Sequence, residues 1–168
     1  LYTKATTDTL TGLPNRGHFT EKAEQEIERA RRYGDPLSVA MLDVDHFKAV
    51  NDNYGHHVGD IALQHVAEVL RQSARKIDII GRLGGEEFAM VLPRANTQPA
   101  IEFCGRTRIA LYRSRVDSPA GPLQISASIG VATLSREAPD LPSLLERADK
   151  ALYKAKRHGR NRVETWLV

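Results

Sequence analysis

Three carboxylates stand where their types and spacing could support chemistry. Asp43 closes a short apolar run, Leu37 to Leu42, and Glu86 and Glu87 directly follow Gly84-Gly85. Apolar stretches flank the two glycines, and Gly-Gly between such stretches suits a two-residue hairpin turn, which needs positive φ. If that hairpin lies beside the Leu37 strand, Asp43 and Glu86 converge at one end of a sheet. Carboxylates gathered in one place repel each other unless a cation joins them. Oxygen ligands with water filling the rest of the shell suit Mg²⁺, normally with nucleotide phosphates attached. For an isolated Gly-Gly-Glu-Glu a solvated turn is the commoner meaning; Asp43 weakens that reading without reversing it.

Other polar residues have a chemical reading and a plain one. Lys156 and Arg160 are four apart, which places both on one face of a helix turn. Cations near a helix C-terminus are also simply favourable to its dipole. Asp60 has the pattern of a helix N-cap, and Asn51 that of a turn residue. Arg75 and Asp78, three apart, would make a local surface ion pair.

The elements that must position these groups follow from periodicity. Asn15 to Tyr33 carries Phe19, Ala23, Ile27 and Ala30 at helical spacing and stops at Gly34-Asp35-Pro36. A buried strand follows over Leu37 to Leu42. Helices are expected over Asp60 to Ala74, Pro99 to Arg115 and Leu144 to His158, the last ended by Gly159. Ile77 to Leu83 and Glu86 to Leu92 read as the two arms of the hairpin. Leu123 to Leu134 alternates as a strand, with Gly130 as a kink or bulge, and Arg162 to Leu167 as a last strand. This order predicts an α+β fold, an α/β sandwich with one central, mostly antiparallel sheet flanked by helices.

Composition bounds the rest. The 168 residues match the length of one domain, and 41% hydrophobic with 27% charged residues is ordinary for a globular protein. A single cysteine, Cys104, excludes an intrachain disulfide and a cysteine-built zinc site. A reducing, cytoplasmic setting is expected. The net charge of +3 is mild for a nucleic-acid binder. The basic residues crowd the C-terminal end, where a small phosphate-bearing ligand accounts for them as well as a nucleic acid does. No DNA or RNA partner is expected. The chain opens without Met and reads as a piece of a longer protein whose regulatory part lies elsewhere, with membrane tethering of that protein left open.

Several stretches together resemble the GGDEF family, the diguanylate cyclases. Gly84-Gly85-Glu86-Glu87-Phe88 is similar to the family signature. Asp8-Thr9-Leu10-Thr11-Gly12-Leu13-Pro14-Asn15-Arg16 resembles its opening motif. Asp43-Val44-Asp45-His46-Phe47-Lys48, Asn51-Asp52, Gly55-His56 and Gly59-Asp60 resemble its second block. Ser128-Ile129-Gly130-Val131 and the run from Ala148 to Asn161 resemble the remainder, so the likeness covers essentially the whole chain.

The resemblance implies a fold like the palm of nucleotide cyclases and polymerases. It implies joining two GTP molecules into cyclic di-GMP with release of two pyrophosphates. Asp43, Glu86 and the backbone carbonyl of Val44 are then metal ligands for Mg²⁺ or Mn²⁺, and Glu86 is also the candidate base for the ribose 3′-hydroxyl. Glu87 is a further ligand or an outer partner. Asp60 and Asn51 correspond to the residues that read guanine, and His56 falls in the same pocket. A carboxylate can accept from guanine N1–H and N2–H together, whereas adenine leaves it unmatched. Phe47 and Lys48 lie where successive N–H groups can cradle phosphate, and Lys156 and Arg160 match the β- and γ-phosphate contacts.

Arg75 and Asp78 have the spacing of the family's inhibitory product site, six residues before Gly84 counted from Asp78. Arg106 or Arg108 is a candidate second arginine for that site. One domain holds one GTP, so a homodimer is implied, set up by an upstream sensory or receiver domain. Two other readings stay open: a catalytically silent receptor for cyclic di-GMP, against which the intact signature speaks, and a cyclase making a mixed guanine–adenine product, against which Asp60 speaks.

Overall fold

Asn15 opens a long helix by accepting the His18 amide on its side chain at 2.9 Å. The helix, α1, spans Arg16–Tyr33 and ends at Gly34, whose left-handed φ of 70° suits glycine at that position. β1 follows as Leu37–Val44, and all eight of its residues are buried. The computed structural model describes residues 5–167 of the chain. After β1 come α2 (Phe47–Tyr54), α3 (His56–Ser73), the hairpin β2 (Ile79–Gly84) and β3 (Glu87–Pro93), and α4 (Thr97–Arg113). A small hairpin, β4 (Val116–Ser118) and β5 (Gly121–Leu123), precedes β6 (Ala127–Thr133), α5 (Leu141–Arg157) and β7 (Val163–Thr165).

Five strands form one sheet in the order β2-β3-β1-β6-β7. β1 is antiparallel to both β3 and β6, β2 is antiparallel to β3, and only β7 runs parallel to its neighbour β6. Alternation along β1 divides the core. Ala40, Leu42 and Val44 pack with Val66, Leu70, Phe103 and Leu111 of α3 and α4. Leu37, Val39 and Met41 pack with Phe19, Ile27, Leu144 and Leu152 of α1 and α5. The expected α+β sandwich is therefore present, with helices on both faces.

Two glycines let helices lie directly on the sheet. A Cβ on Gly130 of β6 would stand 2.1 Å from the Ala148 carbonyl oxygen and 2.2 Å from the Leu152 nitrogen of α5. One on Gly81 of β2 would stand 2.6 Å from Phe19 of α1. Gly130 is thus a seat for α5, not the kink or bulge that the sequence suggests; its register against Met41 is unbroken.

The structure differs from the sequence expectation in four further places. α2 is an additional helix, too short and polar to show as an apolar stripe, with only Phe47 buried. α3 begins at His56 rather than Asp60, because Gly55 at φ 91° ends one helix and starts the next. The hairpin turn is Gly85-Glu86, one residue later than Gly84-Gly85: Gly84 pairs with Glu87 after a register shift between Arg82 and Gly84. The expected strand from Leu123 to Leu134 divides, since Leu123 belongs to a separate two-stranded sheet with β4.

Candidate active site

Asp43 is the seventh residue of β1, 6% exposed, and pairs with Glu87 on β3 and Ser128 on β6. Directly opposed residues share a sheet face, here the one covered by α1 and α5. Lys156, in the last turn of α5, donates its Nζ to Asp43 Oδ2. Glu86 sits in the turn beside them, fastened by the Val44 amide donating to its carbonyl at 3.3 Å. Burial, then the nearby Asp43 charge, hold the Glu86 carboxyl above its ordinary range, with Lys156 pulling the other way. Asp43, Val44, Glu86 and Lys156 are therefore gathered at one sheet end.

The turn is held by residues that sequence reasoning assigned no role. Arg82 Nε and Nη2 donate to the Gly85 carbonyl at 3.0 and 2.8 Å, and its Nη1 reaches Asp8 Oδ1 at 3.0 Å. Asp8 also accepts from the Thr11 amide and hydroxyl at 2.9 and 2.6 Å. Arg16 Nε donates to the Leu83 carbonyl at 3.2 Å, and the Arg82 amide to the Pro14 carbonyl at 3.1 Å. The Asp8-to-Arg16 segment thus clamps the hairpin that presents Glu86. One signal was available: Arg82 interrupts the apolar run Ile79 to Leu83, and a half-buried guanidinium needs acceptors.

The second group of expected residues lies on α2 and α3. Phe47 is buried at the first position of α2, after His46 in the left-handed region at φ 54°. It starts a helix, so the N–H groups that the sequence reading expects to cradle phosphate are those of a helix N-terminus. A Cβ on Gly59 would meet Asn51 Oδ1 at 1.9 Å and Phe47 Cζ at 3.2 Å, so Gly59 leaves room for both side chains and brings Asn51 against the backbone next to Asp60. Asp60 is exposed in the second turn of α3 and is not the helix cap. Lys48 and His56 are exposed; Lys48 stands 3.6 Å from Asp52.

Helical spacing does not join Lys156 to Arg160. α5 ends at Arg157, and Arg160 lies in the following turn at φ 63°, its amide donating to the Ala155 carbonyl at 3.0 Å. Glycine at 159, with φ 119°, permits the reversal. Arg160 is exposed.

Arg75 and Asp78 meet at the other end of the hairpin. Asp78 Oδ1 takes Arg75 Nη2 at 2.7 Å and Nε at 3.1 Å, and its Oδ2 takes the Arg75 amide at 2.7 Å. Arg75 Nη2 also donates to the Pro93 carbonyl at 2.8 Å. The Asp78 side chain is fully covered while that of Arg75 is about half exposed. Arg108 is committed elsewhere, to Asn161 Oδ1 at 2.9 Å. Arg106 is exposed.

This arrangement has close relatives. The family model described as "Diguanylate cyclase, GGDEF domain" matches residues 5–162. The chain belongs to the GGDEF family. It is 44% identical over 162 residues to the diguanylate cyclase DgcP of Pseudomonas aeruginosa, covering 96% of this chain and 24% of that protein. It is 40% identical over 160 residues to the diguanylate cyclase DosC of Escherichia coli, covering 95% of this chain and 35% of that protein. The chain therefore spans between about a quarter and a third of the length of these relatives. Among solved structures, the GGDEF domain of DgcB from Caulobacter crescentus, in complex with c-di-GMP, superposes with a TM-score of 0.91 at 36% identity, covering 98% of this chain and 94% of that one. The active GGEEF domain of a diguanylate cyclase from Vibrio cholerae gives 0.86 at 32% identity, covering 92% and 97%.

GGDEF diguanylate cyclases generally use a divalent metal. No group of three or more His, Cys, Asp or Glu side chains that could hold a metal ion assembles among the described residues. The donor set nevertheless fits a phosphate-borne cation. Asp43 and Glu86 are hard oxygen donors; burial first and the Asp43 charge second hold the Glu86 carboxyl up, and a divalent ion between them would relieve that repulsion. No helix among the described residues is long and apolar enough to cross a membrane.

Proposed function

We propose that this chain is a single catalytic domain, residues 1–168, condensing two GTP into cyclic di-GMP and two pyrophosphates in a Mg²⁺- or Mn²⁺-dependent reaction. The meeting of Asp43, Glu86 and Lys156 at one sheet end carries this reading. Asp43, Glu86 and the Val44 carbonyl would hold the metal, which when bound lowers the pKa of the attacking hydroxyl and offsets charge on the phosphoryl oxygens. Glu86 is placed to accept the 3′-hydroxyl proton. Lys156 and Arg160 offer cations to the triphosphate, alongside the N-terminal turn of α2 with Phe47 and Lys48. Asp60 accepts from guanine N1–H and N2–H, Asn51 serves the same base, and His56 borders it. Each domain holds one GTP, so the reaction runs between two copies facing each other, brought together by an upstream sensory or receiver domain in a cytoplasmic setting. Bound cyclic di-GMP at Arg75 and Asp78 restrains the pair.

Incubating the chain at high concentration with GTP and Mg²⁺, followed by mass analysis, tests this. Cyclic di-GMP is the expected product, lost in Glu86→Ala. No product together with retained cyclic di-GMP binding would overturn the reading in favour of a silent receptor.

A further inference from the structure

Asp45 is 6% exposed, and the chemistry assigned to its neighbours leaves it unused. Its carboxylate accepts the Ser126 hydroxyl at 2.6 Å, the Ser128 hydroxyl at 2.6 Å and the Asn161 amide at 2.9 Å. A buried carboxylate is tolerated only with such donors. Two of them come from the approach to β6 and from β6 itself; the third comes from the turn after α5.

That turn is unusual. Arg160 and Asn161 are consecutive non-glycine residues in the left-handed region, at φ 63° and 47°. Such backbone persists only where surrounding structure imposes it. Here three elements do so. The Ala155 carbonyl takes the Arg160 amide, Asp45 takes the Asn161 amide, and Arg108 of α4 donates to Asn161 Oδ1. Lys156 meanwhile reaches Asp43. The basic segment is therefore fastened to the end of β1 on both sides of Arg160, upstream at Asp43 and downstream at Asp45.

We propose that Asp45 is a positioning residue for Arg160, fixing the direction in which that guanidinium leaves α5 and so setting affinity for the triphosphate. This rests on the nucleotide reading given above, in which Arg160 meets the phosphates. Asp45 touches no substrate; it acts through the Asn161 amide.

The test is equilibrium binding of a non-cyclising α,β-methylene GTP with Mg²⁺ to the chain, beside KM and kcat for GTP. Asp45→Ala is expected to weaken binding and raise KM by about ten-fold, the size of one lost charge-assisted contact, with kcat little changed. In an Arg160→Ala background Asp45→Ala adds nothing further. Full additivity of the two, or a fall in kcat with KM and binding unchanged, overturns the proposal. If Asp45→Ala fails to fold, Arg108→Gln loosens the same turn from outside the site and must show the same direction and the same non-additivity. A wild-type chain that binds the analogue but makes no cyclic product refutes the cyclase reading alone, while the binding cycle still decides the role of Asp45.

Discussion

Arg82 joins Asp8 at 3.0 Å while its other nitrogens hold the Gly85 carbonyl at 2.8 and 3.0 Å, so one guanidinium ties the start of the domain to the turn that carries Glu86. Both side chains are mostly covered. Removing either partner leaves the other's polar atoms poorly matched. Arg82→Met and Asp8→Asn should each cost about 1–3 kcal/mol in urea unfolding, the usual range for a covered charged hydrogen bond. A double-mutant cycle should show coupling of about 0.5–3 kcal/mol. Arg82→Met should also lower turnover more than Asp8→Asn, because it alone releases the Gly85 carbonyl. Additive stability changes would show that the two residues act separately.

The raised pKa of Glu86 has a sign for stability. Burial and Asp43 favour its protonated form in the folded chain, so the native state binds more protons than the unfolded one between the ordinary glutamate range and the raised value. Stability therefore falls as pH rises through that window, and the penalty is fully present above it. Glu86→Gln should be at least as stable as the wild type at neutral pH, with the advantage fading in acid, while the cyclase activity proposed above should be lost. Thermal unfolding across pH, without metal, measures this. A variant less stable than the wild type at neutral pH would contradict the electrostatic account.

Sheet and helices were legible because their signals are local. Phe19, Ala23, Ile27 and Ala30 mark α1, and the unbroken apolar run marks β1. The convergence of Asp43 and Glu86 hung on one condition that the sequence left open, that the hairpin pairs with β1, and it does. What the sequence hid depends on contacts distant along the chain. Asp8 and Arg82 are 74 residues apart, and Asp45 and Asn161 are 116 apart. Gly130 looked like a strand defect because the helix that needs its missing Cβ comes later in the chain. A spacing of four suggests that Lys156 and Arg160 share a helix face, but the same sequence ends that helix at Gly159, and the stop outweighs the spacing.

Arg75 secures a fully covered carboxylate, and in the proposed function it also offers an edge to cyclic di-GMP. Its Nε and Nη2 serve Asp78 and Pro93, which leaves Nη1 and one face of the guanidinium for a nucleotide. Arg75→Ala should weaken inhibition by cyclic di-GMP while turnover at low product is kept. It should also cost about 1–3 kcal/mol of stability, since Asp78 keeps only the backbone amide. Initial rates against added cyclic di-GMP, beside a urea melt, separate the two effects. Unchanged inhibition in a folded variant would remove Arg75 from the inhibitory site.

Gly130 sets how closely α5 lies on the sheet, and so where Lys156 stands. A methyl there meets the backbone of Ala148 and Leu152 at little over 2 Å, and backbone cannot rotate aside as a side chain can. Gly130→Ala should therefore destabilise by about 1–3 kcal/mol or more, the range for overpacking a tight contact. It should also weaken GTP binding by pushing Lys156 away from Asp43. Gly105 offers the contrast: it lies within α4, and a Cβ there meets nothing within 4 Å. Gly105→Ala should stabilise by about 0.5–1 kcal/mol through helix propensity alone, with GTP affinity unaltered. Equal responses of the two glycines in urea unfolding would show that α5 does not rest on Gly130 as described.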